Sequence, residues 1–152
     1  MKWADRRFSF DLPEALFPVV VERLRGTPAR IEDKVRGLSP AVLIRRDGGA
    51  WSIQEHIGHL LDLDELHAGR LDDFLAGAAV LRPADMTNRK TWEANHNARP
   101  IADLLRDFRR ERERFVGDDV MVLLHGFVKK SQKTPPGDLR TARQRLMNLR
   151  KE

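Results

Sequence analysis

The chain of 152 residues contains no cysteine. Disulfides, thiolate metal sites and cysteine nucleophiles are excluded, and the composition fits a reducing, cytoplasmic setting. No apolar run reaches the roughly 18–20 residues that span a bilayer, so no membrane association is expected. Met1-Lys2-Trp3-Ala4-Asp5-Arg6-Arg7 leads into no long apolar stretch, and no secretory signal is expected. A Gly-rich phosphate loop and a G-x-S-x-G elbow are both missing. So is any His-x-x-x-His pair. A metal site commonly needs about three protein ligands, and sequence spacing alone completes none here.

What the chain does have is charge, unevenly spread. It carries 28 basic and 23 acidic residues, a net of +5. Residues 129–152 hold eight basic side chains against two acidic ones, which is +6, and residues 1–128 come to −1. The pI of 10.1 is thus a property of the tail. A body that grips nucleic acid over its whole face is not expected. Hydrophobic residues at 41% and charged ones at 34% describe a soluble globular chain, long enough for one domain with a real core.

Hydrophobic periodicity predicts three helical walls. Residues 11–37 read as a helix in two pieces. Asp11 is a cap ahead of Pro13, Leu12, Leu16, Val19/Val20 and Leu24 recur at helical spacing, and Gly26-Thr27-Pro28 breaks the run. Pro18 sits early enough to kink its start. Ser52-Ile53-Gln54-Glu55 is a capping box that opens the clearest helix, residues 52–76, with Ile53, Ile57, Leu60, Leu61, Leu71 and Phe74/Leu75 on one broad apolar face. Residues 77–99 read mostly as a long connection. Pro100 suits the start of a third helix, with Ile101, Leu104, Leu105, Phe108 and Phe115 on its buried side, running to about Val116. Three amphipathic helices point to an antiparallel bundle that needs a fourth wall. After Gly117-Asp118-Asp119 the pattern changes. Residues 120–128 are a continuous apolar run, the best strand candidate in the chain. Lys129, Lys130 and Lys133 follow in a basic loop, and Leu139, Ala142, Leu146 and Leu149 mark one side of a last short helix.

Five histidines are candidates for chemistry: His56, His59, His67, His96 and His125. His56 and His59 are three apart on the second helix, about 60° around its axis, so both can edge the buried face. His59 adjoins the Leu60/Leu61 stripe, with the carboxylates Glu55 and Asp62 one turn away. That arrangement suits a metal ligand with outer-shell support. Spacing alone favours the plainer role of a core-edge histidine bonded to a carboxylate or carbonyl.

The string Trp51-Ser52-Ile53-Gln54-Glu55-His56-Ile57-Gly58-His59-Leu60, with Asp62 and Glu65 beyond it, resembles the signature helix of the DinB/YfiT-like superfamily. The break at residues 26–28, the Asp47-Gly48-Gly49 loop and Asn95-His96-Asn97-x-x-Pro100 are similar to it as well, so the resemblance covers residues 8–116. It implies an all-α, four-helix bundle in up-down-down-up order. It also implies a divalent metal, zinc or nickel, held by three histidines, and for some members thiol-dependent transferase or isomerase chemistry. By this resemblance His59 is the first metal ligand. The other two would come from an H-D-x-x-H pattern on the fourth helix, which this sequence lacks. The expectation is a bundle over residues 1–117 with an incomplete metal site, metal at low occupancy and little catalysis, a remnant of a metal-dependent transferase or hydrolase. His56, His67, His96 and His125 match no ligand position.

Residues 119–150 resemble something different. The apolar run, the string Lys129-Lys130-Ser131-Gln132-Lys133-Thr134-Pro135 and the helix after it look like the C-terminal end of RelE/HigB-type toxins, which are ribosome-dependent mRNA endonucleases. About the last third of such a toxin is present. The resemblance makes residues 118–152 a strand-loop-helix segment joined to the bundle near residues 116–119. It also makes Lys129, Lys130 and Lys133 the candidate contacts for RNA or the ribosome, weak, electrostatic and salt-sensitive. A packed helix completing the bundle is the competing role for this segment. A third reading is a non-catalytic interaction module that completes its bundle as a homodimer.

Overall fold

The computed structural model describes residues 13–116 and Arg140. After a 3-10 turn at Glu14–Leu16, the chain forms α1 (Phe17–Arg25), α2 (Thr27–Val35), α3 (Pro40–Leu43), α4 (Ile53–Leu75), α5 (Arg89–Glu93) and α6 (Ile101–Val116). A second 3-10 turn lies at His96–Ala98. The described residues are helical with no strand, the all-α class that the periodicity predicts.

The first wall is α1 and α2, split at Gly26. Pro28 has no N–H, so the Leu24 carbonyl four residues earlier loses its helical donor. Arg112 of α6 takes that place, donating from Nη1 to the Leu24 oxygen at 2.8 Å. Thr27 Oγ1 bonds the Arg23 carbonyl at 2.8 Å in the same turn. A sequence break therefore becomes a docking point for another helix.

The second wall, α4, is capped as its sequence predicts. Ser52 Oγ accepts from the Glu55 N–H at 3.1 Å, and Glu55 Oε2 accepts from the Ser52 N–H at 2.9 Å. Its 23 residues span about 34 Å. The connection over residues 76–100 runs back along this length, so α6 starts beside the start of α4 and runs parallel to it. Gln54 donates to the Arg99 carbonyl at 2.7 Å at one end, and Arg114 pairs with Asp72 at 3.3 Å at the other. Against α6 the first wall is antiparallel, because Leu24 meets Arg112 whereas Glu32 meets Arg109. The described walls are thus the up-down-down part of the bundle, with α6 packed on both of the others.

The core is the seam between α4 and α6: Ile57, Leu61, Leu104 and Phe108, with Ile31, Val35, Leu60, Ile101 and Leu105 around it. Leu104 and Phe108 have no exposed surface. The apolar face of α4 is narrower than its sequence suggests. Ile53 and Leu75 are exposed, whereas Asp64 and Ala68 continue the buried line set by Ile57 and Leu61. Asp64 is accommodated by Arg112, whose Nε donates to it at 2.8 Å with both side chains buried. The Arg112 guanidinium also lies 5.2 Å over the Phe108 ring. All six carboxylates of α4 meet a cation from outside the helix: Glu55 with Arg46, Asp62 and Glu65 with Lys90, Asp64 with Arg112, Asp72 with Arg114, Asp73 with Arg82.

The strand-loop-helix expected over residues 118–152 lies outside the described residues, Arg140 excepted. Arg140 is helical and exposed. No helix among the described residues is long and apolar enough to cross a membrane.

Candidate functional site

The first two turns of α4 and the segment 89–99 form the most polar buried junction in the described residues. The connection is drawn onto α4 by short-range chemistry. Asn88 and Asn95 adopt left-handed backbone with φ of 56° and 48°, a conformation Asn tolerates, and turn the chain on either side of α5. Gln54 Nε2 donates to the carbonyls of His96 and Arg99, each at 2.7 Å, and Ser52 Oγ donates to Asn97 Oδ1 at 2.6 Å. Gly58 has a reason to be glycine inside a helix: a Cβ there would overlap the His96 ring.

At the centre is Asp62. Its Oδ2 accepts from Thr91 Oγ1 at 2.7 Å and from His96 Nε2 at 3.1 Å, and its Oδ1 lies 3.7 Å from Lys90 Nζ. Burial works against its charge, but the bonds from His96 and Thr91 and the nearby cations outweigh it and hold the carboxyl below its ordinary value. Thr91 Oγ1 has one proton, given to Asp62. Toward His59 Nδ1, 3.0 Å away, it can therefore only accept. The neutral His59 ring thus carries its proton on Nδ1 and a lone pair on Nε2. Burial lowers the pKa of His59, the Asp62 charge partly opposes this, and His56 and His96 add to the lowering. By the same logic His96 donates from Nε2, and its Nδ1 is buried without a hydrogen-bond partner. Trp51 packs its indole against His59 at 4.7 Å, His56 at 5.5 Å and Trp92 at 5.5 Å between ring centroids.

His59 stands half-buried beside the core, and one carboxylate lies behind its hydrogen-bond partner. That carboxylate is Asp62, acting through Thr91. Glu55 has a different role, since Arg46 and the capping box occupy it and hold it down to about pKa 2. His56 is exposed and lies edge-on to Trp51, and His67 stacks on Phe115 at 5.4 Å. Lys129, Lys130, Lys133 and His125 lie outside the described residues.

Thr91 and His96 are the members that sequence reasoning missed. Gly58 within the α4 helix was the one legible signal for a close approach there, and Asn95-His96-Asn97 marked the segment without showing what His96 meets. A three-histidine metal centre does not fit the donors at hand. His59 Nε2 offers one ligand, Thr91 and Asp62 are engaged behind it, and among the described residues no three His, Asp or Glu side chains converge.

A family model described as the DinB superfamily matches residues 23–118, more than half of the chain. No curated protein and no solved structure matches it.

Proposed function

The chain belongs to the DinB superfamily, and we propose that it is a bundle of that kind whose three-histidine metal centre is incomplete, a remnant of a metal-dependent transferase or hydrolase with little catalysis of its own. The observation that carries this reading is the contrast around His59. Its ring is held in one tautomer by Thr91 and Asp62, with the Nε2 lone pair unprotonated, as an imidazole ligand requires. Yet the whole sequence contains no His-x-x-x-His pair, the spacing at which the resemblance would place the other two ligands. A divalent ion held by one imidazole and water binds weakly, because protein affinity for such ions rests on several donors in fixed geometry.

Elemental analysis of chelator-washed protein reloaded with zinc or nickel tests the reading. The expected result is far less than one ion per chain after desalting, unchanged in His59→Ala. One tightly held ion that disappears in His59→Ala would overturn it.

A further inference from the structure

The loop between α3 and α4 carries a reactive pair of groups that the candidate site does not use. Asp47 is the one aspartate in the chain followed by glycine, and no asparagine precedes a glycine. Asp47, Gly48 and Gly49 are all exposed. A turn forms there as the Ala50 N–H donates to the Asp47 carbonyl at 3.0 Å. Gly48 takes φ of 58° in this turn, a backbone that favours glycine, and nothing lies within contact of the place a Cβ would occupy. Among the described residues the Asp47 carboxyl has no hydrogen bond or ion pair, and the Gly48 N–H has no acceptor. Asp85 is the contrast. It is exposed as well, but its carboxylate accepts from the Thr87 N–H at 2.9 Å, from Thr87 Oγ1 at 2.6 Å and from the Arg89 N–H at 2.9 Å, and Met86 follows it. Those bonds hold the Asp85 carboxyl below its ordinary value and so keep it ionised, a poor electrophile.

We propose that Asp47 is a site of covalent modification, isomerisation to isoaspartate. The Gly48 amide nitrogen attacks Cγ of the protonated Asp47 side chain. A C–N bond forms, the nitrogen loses its proton, and a carboxyl oxygen leaves as water. One water then opens the cyclic imide. Attack at Cγ restores aspartate, whereas attack at the main-chain carbonyl carbon leaves the chain running through Cγ. The composition is unchanged, but the main chain gains one methylene. The carbonyl that accepted from Ala50 becomes a free carboxylate. The change falls next to Arg46, whose guanidinium holds Glu55 and lies 5.7 Å over the Trp92 ring. Ageing of one exposed turn thereby reaches the arginine that braces the start of α4.

The test is incubation of the full chain in warm, mildly acidic buffer, followed by electron-transfer mass spectrometry of its peptides, which distinguishes isoaspartate from aspartate. Isoaspartate should appear first at residue 47, while residue 85 stays aspartyl. Its rate should lie within about tenfold of that in a free peptide of residues 44–52, a barrier difference below about 1.4 kcal/mol. Asp47→Glu, which would need a six-membered imide, should abolish the signal without disturbing the helical circular dichroism. A folded chain slower than the peptide by more than that factor would show that the turn keeps the two groups apart, and would overturn the proposal. So would isoaspartate appearing first at any other residue.

Discussion

The two faces of α4 each bury an aspartate, Asp62 toward the connection and Asp64 toward α6. They are two residues apart and both buried, 8% and 2% exposed, yet their surroundings treat them differently. Asp64 meets a single rigid cation, Arg112, which also takes the Leu24 carbonyl and so ties α4, α6 and the kinked first wall together. Burial dominates there and raises the Asp64 pKa in spite of the arginine. Asp62 meets a hydroxyl, an imidazole and a more distant ammonium, and its pKa falls. The signs follow. A depressed carboxyl contributes stability above its ordinary range and loses it as pH falls through the folded value. A raised one opposes folding above that range and is relieved by protonation. One face of α4 is built as a brace. The other is built to orient imidazoles, and it holds the candidate site.

Breaking the brace should have the largest effect. Arg112→Met leaves Asp64 charged and unpaired in the core, and the expected loss is about 3–5 kcal/mol in urea unfolding. Adding Asp64→Leu should recover most of it, because the pair as a whole contributes little beyond its own desolvation. A full loss in the double variant would show that the Leu24 carbonyl contact is the larger part.

On the other face, Thr91→Val removes the donor to Asp62 and the acceptor for His59 while preserving shape. A cost of about 1–3 kcal/mol is expected. Nitrogen chemical shifts should show His59 losing its single tautomer. An unchanged tautomer would mean that Thr91 does not set it.

Gly58→Ala sharpens the contrast from the backbone side. The methyl meets the His96 ring, and overpacking of this kind costs about 1–3 kcal/mol, offset by up to about 1 kcal/mol of helix propensity. His96 should move away from Asp62, and backbone amides of residues 95–99 should exchange faster. The same substitution at Gly49, where nothing lies within contact, should leave both unchanged.

The smallest effect concerns acid. Glu55, held down to about 2 by Arg46 and the Ser52 cap, gives stability present above its ordinary value of 4.5 and lost as pH falls toward 2. Asp73, held to about 2 by Arg82, behaves in the same way. Arg46→Leu should shrink the change in unfolding midpoint between pH 5 and pH 2.5, and an identical acid profile would remove Arg46 from the account.

The helices were legible because their signals are local. The Ser52/Glu55 capping box, the break at residues 26–28 and the Pro100 start each depend on neighbours within about four residues, and each stands where periodicity puts it. His59 at the core edge was legible for the same reason. The role given to Glu55 was not, because its partner Arg46 sits in a loop whose path no periodicity describes. Thr91 and His96 were hidden for the same reason. Both lie on a 25-residue connection, and their meeting with Asp62 spans 29 and 34 residues of sequence.

From its sequence alone, this chain determined its helical class, its family resemblance, and the absence of any His-x-x-x-His pair. These are matters of composition and short-range pattern, which survive without a fold. Tertiary structure decided which carboxylate serves His59, that a proline break would be capped by Arg112, and that Gly58 makes room for His96. Each of those depends on two segments brought together by the parallel return of α6 along α4, and the free energy of such a contact resides in neither segment by itself.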